Sequence, residues 1–209
     1  MRRRAGDVLF VLGAAVLAAA FIRGAQTAAD DAAAGQASAR ILTQFYADME
    51  RTADEASDGA ADEAADALPA PPAAAASQAA PAPADEAAPA CIGALVIPAI
   101  ALALPVLADW SDGNLELAPC RQFGAPETDD LVIAGHNYRS QFSRLGELCA
   151  GDALTLTDRE GRSRTYTVAE TATVAPDDVA AVQSAAYPLV LYTCTPGAKA
   201  RVAVFCNYA

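Results

Sequence analysis

The sequence predicts an all-β fold, a barrel or a sandwich, confined to residues 91–209 of this 209-residue chain. Three observations predict it. Short apolar segments recur at a spacing of roughly ten residues after Cys91, with Gly, Pro and Asp punctuating them. No strand there alternates with a long helical pattern, which argues against a βαβ fold. The preceding stretch, 28–90, is rich in alanine and poor in aromatic residues, so it buries little core.

The amino-terminal element is an apolar run. Arg2, Arg3 and Arg4 precede Val8 to Ile22, and positive charge before an apolar segment holds that end in the cytoplasm and sends the rest out. Fifteen residues make about 22 Å of helix, slightly short of a span. Gly24 and Ala25 extend it, and Arg23 can snorkel. A cleaved signal peptide has the same charge pattern. Bulky, charged Phe21-Ile22-Arg23 stands where small residues would be cut, which favours a retained anchor over residues 1–27. Both readings put the remainder outside the cytoplasm, as a single-pass, membrane-tethered domain.

A linker over 28–90 follows. It carries 12 acids against two bases, so most of the net charge of −12 sits there. Within it, Ile41, Phe45 and Met49 recur at helical spacing, predicting an amphipathic helix over 36–56, read first as a stalk and alternatively as a regulatory helix packed on the compact domain. Prolines 69, 71, 72, 81, 83 and 89 make 68–89 a semi-extended spacer. It would carry the domain several tens of ångströms from the membrane. No basic patch points to nucleic acid, and none is expected as a partner.

The strands of 91–209 follow in order. Leu95–Ile97 ends at Pro98, and 102–107 contains Pro105, which marks an edge or a bulge. Residues 131–135 run into His136. Residues 153–157 and 165–168 flank the turn 158–162. Residues 189–193 run into Cys194, and 201–206 come after a Pro196-Gly197 turn. Short helical signals cover 141–148 and 177–184.

Three residues suggest chemistry together that none suggests alone. His136 is the single histidine, at a strand end where a barrel rim would expose it. Alone it reads as a structural histidine, and Cys194 alone as a small hydrophobe or half a disulfide. Arg201 opens the strand seven residues after Cys194, so a hairpin returns it beside the sulfur. A thiolate is a nucleophile that needs a nearby cation or base. A histidine can protonate a leaving amine, and a guanidinium can donate to a developing oxyanion. One histidine and no CxxC argue against zinc, and no metal or cofactor is expected. The other four cysteines, Cys91, Cys120, Cys149 and Cys206, allow three pairings, and an odd count leaves one thiol over.

Leu191-Tyr192-Thr193-Cys194-Thr195-Pro196 followed by Arg201-Val202-Ala203-Val204 resembles the active-site signature of the sortases. Asp130 to Asn137 resembles their histidine segment, and Ile97-Pro98 with Leu104-Pro105-Val106 their opening strands. The resemblance covers nearly all of 91–209, in order. It implies a closed eight-stranded barrel with short helices and a cysteine transpeptidase. Cys194 would attack a carbonyl in a Leu-Pro-type sorting motif of a surface protein or pilin. An amine, from a peptidoglycan precursor or a pilin lysine, would then take the acyl group from the thioester. Thr193 and Asn137 would bind substrate. The resemblance leaves the subclass open, because no pilin-type lid motif precedes the barrel. Asp109-Trp110 reads as a surface loop or short helix, and Glu170, Asp177 and Asp178 as solvated carboxylates. Two other readings share the residues: an extracytoplasmic cysteine peptidase that hydrolyses the thioester, and a tethered, non-catalytic binding module.

Overall fold

A computed structural model describes residues 2–57, 89–183 and 186–209, with the side chains of the first segment given for 16–54. The proline-rich spacer predicted over 68–89 lies almost wholly outside them, as do most side chains of the expected anchor. Among the described residues no helix is long and apolar enough to cross a membrane.

Eight strands close into a barrel in the order β1-β2-β3-β4-β7-β8-β6-β5. They are β1 (Cys91–Ile97), β2 (Leu102–Leu107), β3 (Cys120–Phe123), β4 (Leu131–Ala134), β5 (Ala153–Asp158), β6 (Ser163–Val174), β7 (Leu189–Cys194) and β8 (Arg201–Tyr208). The alternation of each strand sends one side chain in two to the interior. Leu95, Ile97, Leu131, Ile133, Leu154, Leu156, Leu189, Leu191 and Val204 fill it, all at most 1% exposed. Pro105 sits in β2 opposite Ala94 of β1, and β2 meets β3 only at Leu107 and Cys120. The missing N–H of Pro105 therefore falls where the ladder is open, as the sequence predicts.

Helix α1 (Arg2–Ser57) runs unbroken for 56 residues, about 84 Å at 1.5 Å per residue. The sequence predicts only 36–56 as helix beyond the anchor. Its middle is not a free stalk. Ala34, Ser38, Ile41 and Phe45 are buried, at spacings of four, three and four, so one face of the helix lies on the barrel. Ile41 packs with Leu107, Ala118 and Cys120. Short α2 (Asp112–Leu117) is capped by Ser111, whose Oγ accepts from the Asn114 amide at 3.0 Å. A shorter α3 (Val179–Val182) lies between β6 and β7.

Candidate active site

Strands β4, β7 and β8 form one wall of the barrel. Strand β7 pairs in parallel with β4 and antiparallel with β8. Along β7, Leu189 and Leu191 face the interior, while Val190 and Tyr192 pack with Val132, Ala203 and Phe205 on the outer face. Cys194 has the parity of Tyr192, so the thiol is on the outer face.

The β7–β8 hairpin sets Cys194 opposite Arg201. Its turn is closed by the Thr195 amide donating to the Ala200 carbonyl at 2.9 Å and the Ala200 amide donating to Thr195 Oγ1 at 3.1 Å. Gly197 takes φ 80°, the left-handed conformation glycine adopts without strain. Arg201 Nη1 then reaches Cys194 Sγ at 3.1 Å, the contact that the seven-residue spacing predicts. That sets a guanidinium donor within hydrogen-bond distance of the sulfur.

Parallel pairing brings in His136. Ala134 aligns with Tyr192, and the Gly135 amide donates to the Tyr192 carbonyl at 3.1 Å. His136 comes next, two residues past the last β4–β7 pair, as Cys194 is two residues past Tyr192. Gly135 is needed here because a Cβ would stand 2.6 Å from Phe142 Cδ2. Phe142 folds back under the histidine, its amide donating to the His136 carbonyl at 3.1 Å. The His136 amide donates to Gln141 Oε1 at 2.9 Å, and Gln141 Nε2 donates to the Leu115 carbonyl of α2 at 3.1 Å.

The His136 ring is half-buried and lies against Tyr138, centroids 4.8 Å apart. Among the described residues no hydrogen bond joins the ring to the Cys194 sulfur. Burial lowers the imidazole pKa, the charges of Glu116 and Asp112 pull it back up, and the net shift is downward. The ring is therefore neutral at pH 7, able to accept a proton.

Cys194 and Arg201 are in contact on this wall, and His136 follows the end of β4, two residues past its last pair with β7. Thr193 lies in β7, directly before Cys194. It is 2% exposed and has the inward parity of Leu189 and Leu191, so its side chain faces the interior. Asn137 is half-exposed in the loop directly after His136.

Trp110 lies on the surface in the loop between β2 and α2, as the sequence predicts. The residue, 49% exposed, also borders a cleft of about 170 Å³ with Phe123, Val182, Tyr192 and Arg201. The signal available in the sequence was an exposed-context tryptophan between acids, Asp109 and Asp112. The Tyr192 hydroxyl, in the same cleft, donates to Gln122 Oε1. The acids near α3 are engaged singly. Glu170 accepts from the Tyr187 hydroxyl at 3.1 Å, and Asp178 caps α3 through the Ala181 amide at 3.0 Å.

All five cysteines are free thiols. Burial pushes Cys206 up to about 12 and Cys120 up to about 11, and it raises Cys91 as well. Of the four thiols other than Cys194, three are thus held protonated, and Cys149 is exposed.

A family model, the Sortase domain, matches residues 95–209. The chain belongs to the sortase family. It is a cysteine transpeptidase of the sortase type, and the closed eight-stranded barrel is the sortase fold. Sortase C from Clostridium perfringens is similar at 22% identity and a TM-score of 0.51, over 57% of this chain and 70% of that one. Sortase A from Corynebacterium diphtheriae is similar at 23% and 0.52, over 57% of this chain and 60% of that one. Sortase C1 from Streptococcus agalactiae reaches 27% and 0.52, over 57% and 67%. The likeness thus extends to both the A and the C sortases, and the chain spans three fifths to seven tenths of these proteins' lengths. No curated protein matches the chain.

Proposed function

We propose that this sortase cleaves a sorting motif of an exported protein through a Cys194 thioester and passes the acyl group to an amine. The observation that carries the assignment is the 3.1 Å contact between Arg201 Nη1 and Cys194 Sγ, on the wall where β4, paired with β7, leads into His136. Cys194 gives its proton to neutral His136 and attacks the scissile carbonyl. The C–S bond forms, and the oxyanion draws the Arg201 guanidinium off the sulfur. The C–N bond breaks as His136 returns the proton to the leaving amine. An incoming amine then reverses these steps. It forms a new amide, loses a proton to His136 and releases the sulfur.

The cleft bordered by Trp110, Tyr192 and Arg201 is the natural seat for the apolar residues of the motif. Asn137, beside His136, offers amide donors and an acceptor to the peptide backbone. One of the similar structures is a Clostridium perfringens sortase C with the C-terminal cell wall sorting motif, and another is a sortase C1 of a pilus island. A wall-precursor amine and a pilin lysine are the two acceptors to be compared. The apolar run Val8–Ile22 behind three arginines supports a retained membrane anchor with the barrel outside the cytoplasm.

Mass spectrometry of the enzyme mixed with sorting-motif peptides tests the reading. Wild type should gain an acyl adduct on Cys194 that an added amine converts to ligated peptide. Cys194→Ala should give no adduct and His136→Ala almost none. Arg201→Ala should form it about 100-fold more slowly, as on loss of an oxyanion donor. Full-rate acylation of Arg201→Ala removes that residue from the mechanism. Hydrolysate alone, with every amine tried, makes the protein a peptidase.

A further inference from the structure

Helix α1 does more than lie on the barrel: it grips the loop that leaves His136. Asp31 Oδ1 accepts from the Ser140 amide at 2.9 Å, and Oδ2 accepts from the Arg139 amide at 3.2 Å. Ser140 Oγ answers by donating to the Asp31 backbone carbonyl at 3.0 Å. One helical turn on, a Cβ at Gly35 would stand 3.1 Å from Ser140 Cβ, so a small residue there is what permits the approach. A further turn on, Ser38, 2% exposed, donates to the Leu117 carbonyl of α2 at 2.7 Å.

These contacts converge on a short segment. Residues 137–141 are all that separate His136 from the turn under Phe142. The segment is held from one side by Asp31 and from the other by Gln141, which bonds both the His136 amide and α2. Tyr138, the ring against His136, lies inside it. A free loop of this kind would let the imidazole sample many orientations. One carboxylate bonding two consecutive amides removes that freedom.

We infer that Asp31 is a positioning residue for His136, and that α1 is therefore a working part of the active site. The inference rests on the acid/base role proposed for His136. Asp31 touches neither substrate nor sulfur; it acts through the 137–140 backbone. Burial would push its carboxyl up, but the hydrogen bonds from Ser140 and Arg139 outweigh this, and the carboxyl is held below its ordinary range. It is thus charged whenever the enzyme works. The other charges facing the loop are Asp30 and Glu116, near Tyr138, and Arg139 itself.

The test compares full-length wild type with Asp31→Asn, Asp31→Ala and His136→Ala, following acyl-enzyme formation across pH. Rates are taken per Cys194 thiol titrated with an active-site label. Asp31→Ala should lower kcat about 10- to 100-fold with KM within about twofold, since only orientation is lost. Its acid limb should move up toward the ordinary imidazole value, because a released ring gains solvent. Asp31→Asn keeps one oxygen to accept an amide and should fall between the two. A purely structural loss would cut the fraction of active enzyme and leave the acid limb in place. Should Asp31→Ala not fold, the same shift read on Asp31→Asn decides. Unchanged kcat and acid limb in the Asp31 variants, with His136→Ala inactive, overturns the inference and leaves the mechanism standing. An active His136→Ala overturns the mechanism itself.

Discussion

Arg201 and His136 owe their places to different bonds. Arg201 is carried to the sulfur by an antiparallel hairpin, a local device, and its spacing from Cys194 was readable in the chain. His136 is brought by a parallel pairing across more than fifty residues of intervening sequence, and only its strand-end position was readable. The environment of the ring, absent from the sequence, decides its charge. Burial lowers the imidazole pKa more than Glu116 and Asp112 raise it. Because the chain has one histidine, a single imidazole resonance can be followed by NMR. Its midpoint should fall below the ordinary 6.5, and Glu116→Gln should lower it further. The sign for stability follows. Between the lowered folded value and 6.5 the unfolded chain binds a proton that the folded chain does not, so stability declines as pH drops through 6.5. A midpoint at or above 6.5 would show the ring to be solvated.

The elements differ in how plainly the sequence announced them. Strands β7 and β8 are apolar runs bounded by a Pro-Gly turn, and both begin where expected, though β7 takes in Cys194 and β8 runs on past Cys206 to Tyr208. Strand β3 is Cys-Arg-Gln-Phe, half polar and joined to β2 at a single residue pair, and it carries no pattern of its own. Helix α1 was half legible. Ile41 and Phe45 gave the periodicity, but Ala34 and Ser38, which let the helix come close, do not register as apolar. Small residues mark helix contacts only once the partner surface is known, so a docked helix read as a stalk. Phe45 separates the two cases. On a free stalk Phe45→Ala would be nearly neutral; here, at 5% exposure, it should cost about 3 kcal/mol, seen as a lowered Tm of the barrel transition. An unchanged Tm would mean that α1 and the barrel do not share a core.

At the scale of the whole molecule, the docking of α1 bears on how far the barrel stands from the anchor. Read along the chain, anchor, stalk and spacer should add up to reach. But α1 meets the barrel at Asp31 and again at Phe45, both before the spacer begins. From Asp31 back to Ile22 is only nine residues, about 14 Å of helix. If Val8–Ile22 lies in the bilayer, the catalytic wall sits close above the membrane surface. Thr52 near the end of α1 and Pro89 just ahead of β1 line one cavity of about 420 Å³. We therefore predict that 58–88 adds no reach. Deleting roughly half of it should leave turnover of a vesicle-embedded sorting substrate unchanged. Tm should hold or rise slightly, since halving a loop returns about 0.6 kcal/mol of closure entropy. A tether predicts the reverse: activity on the embedded substrate would fall with each deletion while a soluble peptide was still processed at full rate. That outcome would place the barrel at the end of the spacer and detach α1 from it.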